Sequence, residues 1–384
     1  MHLTMIASEP PPHAACMKGR NIHVGKKILT INLGTTSTRL SLCDGTTVLS
    51  DKKLYHPDEE LKALTQKGHV ERRRELLLEW LGECNTKVSD IDAIAVRAAS
   101  LPRPVLGGTY YVDGVLREDL AKRYAPDKPL THGTEITLAL TDAVCEGLDI
   151  PYYVVDPASQ NNMIEEAKMS GHPLIKRTTT FHALNQKYLG HVQAEKLGKK
   201  YENSNFVIAH MGGGISVCAH QHGRVTDTND CSGQEGPFSA TRTGSLPMRE
   251  VVTMCFSGKY TFEQFLGMTL WQGGVYAYLG TSDMREVEKR ADEGDEKAAL
   301  VFRTVAYKTA QQIGALAATI EGDLDGIILT GGMSNSKKMC QMIEHWVGRL
   351  APVTVYPGEM ESEALAAGVL RVLNNEEPLA QYPC

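Results

Sequence analysis

Hydrophobic and polar positions alternate in a regular way where the first ordered segment begins. Residues 28–32 form a short apolar run that ends in the polar Asn32, and a turn of mostly small residues, 33–36, follows it. From Ser37 to Cys43 polar and apolar residues then alternate, which places them on opposite faces of a strand. The pattern predicts a strand, a tight turn and a second strand.

The same arrangement returns in the second half of the chain. Residues 206–210 form the apolar strand, residues 211–214 the turn, and residues 215–219 the second strand. Asn32 aligns with His210 in this comparison. Two similar hairpins, one in each half, indicate a duplicated domain.

Small residues at such turns allow backbone N–H groups to approach an anion, and hydroxyl side chains add further donors. A third turn of this kind follows the predicted buried strand 326–330 and precedes a predicted helix over 337–347. We interpret the glycines of the two later turns as phosphate-binding positions: Gly212, Gly213, Gly214, Gly331 and Gly332. Two ordinary β-hairpins are the alternative. Neither GxxxxGK(S/T) nor GxGxxG after a strand occurs, which argues against P-loop and Rossmann sites.

The remaining periodicities predict an alternation of strands and helices. Apolar residues of segment 296–320 recur at intervals of three and four, which is the spacing of an amphipathic helix. Further helices are predicted over 58–81, 135–147, 161–170, 182–198, 285–293 and 362–373. Further strands are predicted over 92–97, 152–156 and 353–356. Because both types mix throughout the chain, the fold class is predicted to be α/β.

Composition narrows the class of protein. The chain has 384 residues, a hydrophobic fraction of 42% and a formal charge of −6, so it can build sizeable cores and has no electrostatic reason to bind nucleic acid. No apolar run approaches the length that spans a bilayer. The nine cysteines are scattered and form no CxxC, which favours reduced thiols and a cytoplasmic location. Residues 1–27 lack periodicity and are predicted to form a disordered N-terminal extension.

Short stretches spread over the chain form an ordered series. They lie at 31–38, 107–110, 170–175, 181–187, 209–216, 235–239, 256–260, 278–281, 328–332 and 351–359. In this order they resemble butyrate kinases, within the acetate kinase group of the actin, sugar-kinase and Hsp70 fold. The resemblance extends from about Lys27 to Asn375, and the stretch that begins Phe181-His182 favours butyrate kinases over acetate kinases.

The resemblance implies reversible phosphoryl transfer from ATP to a short-chain carboxylate, butyrate above all, with acyl phosphate and ADP as products and Mg²⁺ as cofactor. It implies two similar lobes of the actin-like ATPase fold with the nucleotide in the cleft between them. Lobe I is expected over 28–175 and about 352–384, and lobe II, which binds the nucleotide, over 176–351. Homo-oligomerisation is implied as well, with no nucleic-acid or membrane partner.

The resemblance also assigns catalytic positions that suit this chemistry. Arg97 and Arg242 align with arginines near the substrate, where a guanidinium offers two donors and neutralises charge. His182 aligns with a histidine that contacts the transferring phosphoryl group, either protonated or as an N–H donor. Asp156, at the end of a predicted strand, aligns with a Mg²⁺ carboxylate. No strong general base is required, because the substrate carboxylate is already a nucleophile.

Other positions complete the expected nucleotide and metal site. Glu361 aligns best with a second Mg²⁺ carboxylate, although Glu359 and Glu363 are close enough to leave the alignment open. One or two protein carboxylates are what Mg²⁺ usually takes. The remaining expected contacts to the nucleotide phosphates are Asn32, Thr35, Ser37, Arg39 and His210.

The largest departure from the family pattern is Ala98-Ala99, where glycines are usual. Two additional Cβ atoms could crowd the loop or exclude a positive φ, and so displace Arg97. The acid also stays open between butyrate, isobutyrate, propionate and acetate, because one methylene is worth only about 1–3 kcal/mol of discrimination. A nucleotide-binding protein of the same fold without kinase activity is the alternative from another class.

Two polar clusters are expected to have no catalytic role. Arg72-Arg73-Arg74, flanked by Glu71 and Glu75, is expected to lie on a solvated helix face. His220 and His222 could share one face of a strand, but no third ligand for a metal is identifiable. Both histidines are therefore expected to be exposed polar strand residues.

Overall fold

The computed structural model of the chain describes residues 25–34, 37–56 and 64–383. Its strands are β1 (Lys27–Leu33), β2 (Ser37–Asp44), β3 (Thr47–Tyr55), β4 (Ala93–Val96), β5 (Thr109–Tyr111), β6 (Tyr152–Val155), β7 (Asn205–Met211), β8 (Ile215–Gln221), β9 (Arg224–Thr228), β10 (Gly326–Gly331) and β11 (Val353–Pro357). Its α-helices are α1 (Gln66–Glu83), α2 (Gly114–Ala121), α3 (Thr137–Cys145), α4 (Glu165–Lys168), α5 (Ala183–Lys196), α6 (Met248–Cys255), α7 (Phe262–Leu270), α8 (Gly274–Leu279), α9 (Met284–Asp292), α10 (Glu296–Ala317), α11 (Lys337–Val347) and α12 (Glu361–Leu373). Most of the predicted extension 1–27 lies outside the described residues.

The first sheet is built around the first predicted hairpin. Its strand order is β3-β2-β1-β4-β6-β5. β1 pairs antiparallel with β2, with Asn32 opposite Arg39, and parallel with β4, which in turn runs parallel to β6. The carboxyl ends of β1, β4 and β6 therefore meet at one edge of the sheet, so the residues that follow them lie close together.

The second sheet repeats this plan. Its order is β11-β10-β7-β8-β9, with β7 antiparallel to β8 and parallel to β10. In both sheets a hairpin is extended on one side by an antiparallel strand and on the other by parallel strands, with β5 added at the edge of the first sheet. The duplication that the two hairpins indicated is present in the topology, and the predicted α/β class is confirmed.

Helices cover both sheets. The buried stripe of α10 includes Phe302, Val305, Ala306 and Ile313, and this helix packs against β7 and β8. α12 packs against the first sheet, whereas the preceding strand β11 pairs with β10 in the second. The chain therefore returns to the first sheet after Pro357, later than the predicted boundary at about residue 352. None of the described helices combines the length and the apolar character that a membrane crossing requires.

Elements without a clearly buried apolar face were not predicted from the sequence. β3 is an edge strand of exposed and half-buried residues, and α6 buries none of its side chains. The predicted helix 161–170 is reduced to the single turn α4, in which only Ala167 is buried. Most helical stability in proteins comes from a buried apolar face. Because this single turn buries one side chain, a longer helix lacks that stabilisation here.

The two polar clusters that were expected to be solvated each contain a buried residue. Arg73 shares the buried face of α1 with Val70 and Leu77, whereas Arg72 is exposed. His220 is fully buried in β8, whereas His222 is exposed in the turn that follows. The prediction of exposure is therefore wrong for Arg73 and for His220.

Candidate active site

A cavity at the carboxyl ends of the first sheet's strands collects several of the predicted catalytic side chains. Arg97 follows β4, Asp156 follows β6, His182 immediately precedes α5, and Glu361 is the first residue of α12. The residues that line the cavity are Arg97, Ala98, Asp156, Ala158, Phe181, His182, Ala183, Leu184, Asn185 and Glu361. Charged groups and small apolar side chains thus share one concave surface.

Glu361 is held from two sides in this cavity. The side-chain amide of Asn32 donates to Glu361 Oε2, and Arg97 Nε lies 3.2 Å from Oε1. The backbone of Arg97 is fixed in turn, because its N–H donates to the Ile31 carbonyl at 3.0 Å. The Arg97 side chain stays 33% exposed, so its guanidinium can contact both Glu361 and a ligand.

The alanines after Arg97 are accommodated without backbone strain. Neither Ala98 nor Ala99 is among the described residues that adopt a positive φ. Ala98 is buried in the core of the first sheet. The carbonyl of Ala99 accepts a hydrogen bond from the Ser159 N–H at 3.1 Å, which anchors the loop. The strain expected from the two additional Cβ atoms is therefore absent from this loop.

Asp156 is buried beside a second charge. Its Oδ1 accepts hydrogen bonds from the Gly108 N–H at 2.8 Å and from the Lys187 ammonium at 2.5 Å. The neighbouring Gly107 leaves room for the Gln160 side chain, because a Cβ at this position would lie 1.7 Å from Gln160 Oε1. Lys187 was not among the predicted site residues, although it ends one of the stretches that carried the resemblance.

His182 and His210 stack face to face, with ring centroids 3.7 Å apart and an interplanar angle of 2°. Asn185 sets the hydrogen positions of His210. Its Oδ1 accepts from the Met360 N–H at 2.9 Å, so its amide nitrogen faces His210 Nδ1 at 3.2 Å. His210 Nδ1 is therefore an acceptor, and Nε2 carries the hydrogen that it donates to Glu359 Oε1 at 3.2 Å. This hydrogen bond lowers the pKa of Glu359 below its usual range.

The environment keeps His182 neutral. Burial lowers the pKa of His182 well below its usual value, and the charges of Arg97 and Arg242 act in the same direction. Its Nδ1 lies 2.8 Å from Ser216 Oγ, while Nε2 on the opposite side of the ring has no hydrogen-bond partner among the described residues. Of the two roles that the sequence left open, a neutral N–H donor is the one that this environment favours.

Arg242 passes over the turn of the second hairpin. A Cβ on Gly214 would lie 2.0 Å from Arg242 Nη1, so only glycine leaves room for this side chain. The turn is closed by a hydrogen bond from the Gly212 N–H to Gly214 O at 3.0 Å. Arg242 Nη1 donates to the Cys231 carbonyl at 3.2 Å, whereas its buried Nε has no partner in the described part of the chain. A buried donor without a partner fits a guanidinium that binds an anionic ligand.

The other turn glycines have different structural reasons. Gly213 O accepts from Ser239 Oγ at 2.6 Å, which ties the turn to the following loop. Gly331 has a φ of 88°, and a Cβ there would lie 2.5 Å from Met211 O, so the contact between β10 and β7 requires glycine. A Cβ at Gly213 or at Gly332 would meet none of the described atoms within 4 Å, so these two positions border open space.

The four positions of the first hairpin that were predicted to contact the nucleotide phosphates differ in their surroundings. Arg39 forms a two-point ion pair with Asp51 on β3, with N···O distances of 2.9 and 3.1 Å, and does not line the cavity. Ser37 closes the turn through its carbonyl, which accepts from the Gly34 N–H at 2.8 Å. Thr35 lies outside the described residues. Among the described positions of this hairpin, Asn32 is thus the one that contacts a cavity side chain, Glu361.

Of the three glutamates that the alignment left open, Glu361 lines the cavity together with Asp156. Glu359 accepts the hydrogen bond from His210, and Glu363 is not among the residues that line the cavity. Two carboxylates at one cavity fit Mg²⁺, which usually takes one or two and keeps several waters. The described residues hold no cluster of three or more side chains that could bind a metal by themselves.

The buried Arg73 stabilises the turn between β1 and β2, next to the site. Its Nη1 and Nη2 donate to Gly34 O at 3.1 and 3.0 Å, and Nη1 also donates to Thr38 Oγ1 at 2.8 Å. Burial lowers the pKa of Arg73 to about 10. By holding the turn after β1, Arg73 fixes the strand that carries Asn32. The available signal was its position on the apolar stripe of α1, in line with Leu77.

Known sequences include clear relatives of this chain. Residues 159–357 match the sequence model of the Acetokinase family. The chain is 44% identical over 354 residues to the probable butyrate kinase 2 of Caldanaerobacter subterraneus subsp. tengcongensis. That alignment covers 91% of this chain and 98% of the relative, so the similarity extends over both proteins.

Solved structures share the fold at lower identity. An acetate kinase from Porphyromonas gingivalis superposes with a TM-score of 0.74 at 17% identity, over 90% of this chain and 99% of that one. A propionate kinase from Francisella tularensis subsp. tularensis superposes with a TM-score of 0.71 at 18% identity, over 89% of this chain and 98% of that one. These superpositions confirm the fold predicted from the sequence.

Proposed function

Because the chain belongs to the acetokinase family, we propose that it transfers the γ-phosphoryl group of ATP reversibly to butyrate, forming butyryl phosphate and ADP. Family membership confirms the ATP-dependent carboxylate kinase class that the sequence predicted. The choice of butyrate is supported by the 44% identity to a probable butyrate kinase.

The observation that carries the proposal is the meeting of cations, a neutral imidazole and carboxylates at one cavity. Arg97, His182 and Asp156 line this cavity, and the charge of Arg242 is close enough to act on His182. Phosphoryl transfer requires little covalent chemistry from the protein and depends on positioning and charge stabilisation. The residues of this cavity supply both.

In the forward direction, a carboxylate oxygen of butyrate attacks the γ-phosphorus and forms the new P–O bond. The bond between phosphorus and the β,γ-bridging oxygen breaks, and its electron pair leaves with ADP. Arg97 and Arg242 orient the reactants and neutralise the charge that crowds them. His182 donates a hydrogen bond from Nε2 to a phosphoryl oxygen, and no proton is transferred.

Asp156 and Glu361 are the residues that we assign to Mg²⁺. Since Asp156 Oδ1 is shared by Gly108 and Lys187, Oδ2 is the oxygen that remains for an ion or its water. When bound, Mg²⁺ neutralises charge on the nucleotide phosphates and stabilises the leaving group. Lys187 offsets the charge of Asp156, so that this carboxylate stays fixed in a buried position.

The apolar side of the cavity supports a short alkyl chain as the acyl group. Its apolar lining residues are Ala98, Ala158, Phe181, Ala183 and Leu184. Each methylene of the acid that contacts such a surface contributes about 1–3 kcal/mol. We therefore expect graded rather than absolute discrimination among neighbouring acids.

A hydroxamate assay for acyl phosphate tests the proposal. The purified protein is given Mg-ATP with acetate, propionate, butyrate, isobutyrate and valerate in turn. We expect the highest kcat/KM with butyrate and a value at least about 10-fold lower with acetate. In the control variant Arg242→Ala, kcat is expected to fall by about 10²–10³-fold with an unchanged circular dichroism spectrum, because a charge-stabilising donor is lost.

The two possible failures of this assay have different meanings. A higher kcat/KM with another acid would replace butyrate by that acid and leave the kinase activity in place. Binding of ATP without product from any of the five acids would refute the transferase and leave a nucleotide-binding protein of this fold.

We also propose that the protein is a cytoplasmic homo-oligomer. The segment from α6 to α8 exposes many apolar side chains: Met248, Val252, Phe256, Phe262, Leu266, Trp271, Tyr276 and Tyr278. Apolar patches of this kind mark interaction surfaces, and a second copy of the chain is the occupant that we propose. The cytoplasmic location is supported by the described cysteines, which are all free thiols.

A further inference from the structure

A chain of buried polar side chains leads from the second sheet to His182. Tyr201 OH lies 2.7 Å from His220 Nδ1, and His220 Nε2 lies 3.1 Å from Gln186 Oε1. Gln186 Nε2 lies 2.9 Å from Ser216 Oγ, which in turn lies 2.8 Å from His182 Nδ1. All members between the two ends are completely buried, so water does not contribute alternative partners.

The hydrogen positions in this chain follow from one fixed acceptor. The backbone carbonyl of Ser216 can only accept, and Gln186 Nε2 lies 3.1 Å from it. The amide nitrogen of Gln186 must therefore be on the Ser216 side, and its Oε1 must face His220. Its two hydrogens are donated to the carbonyl and to the hydroxyl of Ser216.

The hydrogen bonds of His220 and Tyr201, at the end farthest from His182, agree with this assignment. Because Gln186 Oε1 only accepts, His220 Nε2 carries a hydrogen and Nδ1 is left as an acceptor. Burial lowers the pKa of His220 to about 3, so the ring is neutral at neutral pH. Burial also raises the pKa of Tyr201, so its hydroxyl keeps the hydrogen that it donates to His220.

The hydrogen bonds of Ser216 determine which ring nitrogen of His182 carries the hydrogen. Ser216 Oγ accepts hydrogen bonds from the Gln186 amide and from the His182 backbone N–H, at 2.9 and 3.3 Å. Both lone pairs are then used, so the hydroxyl hydrogen of Ser216 points to His182 Nδ1. Nδ1 is an acceptor, and the ring hydrogen is on Nε2, the nitrogen that has no hydrogen-bond partner within the described part of the chain.

We propose that Gln186 is a positioning residue, which acts through Ser216 to hold the His182 ring with its hydrogen on Nε2. The inference deepens the proposed function, because an Nε2 hydrogen is what His182 needs to donate to a phosphoryl oxygen. Gln186 does this with its amide alone, since both its hydrogens and its oxygen have assigned partners. The hydrogen bonds of Tyr201 and His220 prevent the Gln186 amide from flipping.

Replacement of Gln186 by glutamate gives the sharpest test. A protonated carboxyl group can still donate to the Ser216 carbonyl and leave the Ser216 hydroxyl directed at His182. An ionised carboxylate only accepts, so it draws the Ser216 hydroxyl hydrogen to itself and leaves an acceptor facing His182 Nδ1. In Gln186→Glu we expect kcat to fall by about 10²-fold as pH rises through the pKa of the new carboxyl group.

Two controls separate this effect from general damage. Gln193→Glu changes a second buried glutamine of α5, whose Oε1 accepts a hydrogen bond from Tyr356 OH at 2.7 Å. A glutamate oxygen can accept this hydrogen bond equally well. The kcat profile of this variant is expected to parallel the wild type. In the double variant Ser216→Ala/Gln186→Glu the additional pH dependence should disappear, because the hydroxyl that transmits it is gone. The other titratable or charged groups close to these residues are the same in every variant: His210, Arg97, Arg242, Cys218, Lys187, His191, Asp156, Arg371 and Glu202.

A measurement without turnover keeps the inference independent of the kinase activity. Long-range ¹H–¹⁵N NMR of protein labelled with ¹⁵N-histidine identifies the tautomer of His182, with His182→Gln used to assign its signals. We expect the hydrogen on Nε2 in the wild type, and a loss of this pattern in Gln186→Glu at high pH. A wild-type hydrogen on Nδ1, or a pH profile of folded Gln186→Glu that parallels Gln193→Glu, would overturn the proposal. If Gln186→Glu fails to fold, the wild-type spectrum alone decides.

Discussion

At the scale of single residues, the site depends on glycines that leave room for functional side chains. Gly214 gives Arg242 its path across the second hairpin turn, and Gly107 lets Gln160 approach the loop that binds Asp156. In neither case does a positive φ explain the glycine, since neither residue is among the described residues with that conformation. The requirement is space, which the sequence alone does not reveal.

Gly214→Ala tests this requirement. The new Cβ would lie 2.0 Å from Arg242 Nη1, so the guanidinium must move. We expect kcat to fall by about 10²-fold, the usual scale for a misplacement of about 1 Å at a reacting group. Gly314→Ala in helix α10, outside the site, is the control, because apart from its own helix backbone none of the described atoms lies within 4 Å of its new Cβ. Equal loss in both variants would contradict the steric account.

At the scale of elements, the first hairpin and helix α1 form one unit. The buried guanidinium of Arg73 donates to the carbonyl of Gly34 and to the hydroxyl of Thr38, so it joins the helix to both sides of the turn. A charge buried in this way is costly unless it is well bonded, and removing it leaves its acceptors unsatisfied.

Arg73→Met is therefore expected to lower the free energy of unfolding by about 2–4 kcal/mol, measured by urea denaturation. Arg72→Met is the matched control in the same run of arginines. Its exposed ion pair with Glu75 is worth at most about 1 kcal/mol, so a change within about 0.5 kcal/mol is expected. Similar values for the two variants would show that Arg73 does not hold the turn.

Elements with a strong internal period could be predicted from the sequence. The two hairpins and α10 show clear alternation or a helical stripe, and α11 was predicted over the residues that it occupies, Lys337–Val347. α6 and α7 could not be found this way, because they leave large apolar residues exposed and so break the expected pattern. The burial of His220 could not be predicted either, since it depends on a tertiary contact in which helix α5 supplies Gln186 as its partner.

The candidate site was predictable in its residue types more than in its contacts. The resemblance pointed to Arg97, Asp156 and Glu361, which share one cavity. It gave no indication that Arg39 would pair with Asp51, because that ion pair depends on a neighbouring edge strand with little hydrophobic signal. Hydrogen-bond partners such as these arise from tertiary packing, which local sequence patterns do not encode.

At the scale of the whole molecule, the segment from α6 to α8, which lies between strands β9 and β10 of the second sheet, has an unusual surface. Phe256 and Phe262 are 86% and 75% exposed, and Trp271 is 65% exposed. Isolated exposed apolar residues are common, but a cluster of large ones indicates a surface that another molecule covers.

The double variant Phe256→Asp/Phe262→Asp tests whether this surface joins copies of the chain. We expect light scattering coupled to size-exclusion chromatography to show a smaller assembly than the wild type, because charge replaces apolar contact. Leu49→Asp, at an exposed apolar position on edge strand β3, is the control and should keep the wild-type mass. A monomeric wild type, or an unchanged mass in the double variant, would contradict the proposed interface.

The origin of the oxygen in the transferred phosphate tests the central claim most directly. The protein is incubated with ATP, Mg²⁺, hydroxylamine and butyrate labelled with ¹⁸O in its carboxylate, and the released phosphate is analysed by ³¹P NMR. If butyrate attacks the γ-phosphorus, hydroxylamine cleaves the acyl bond and each phosphate released by this route carries one ¹⁸O from butyrate. Phosphate without ¹⁸O would mean that water, and not the carboxylate, accepts the phosphoryl group, and would contradict the account.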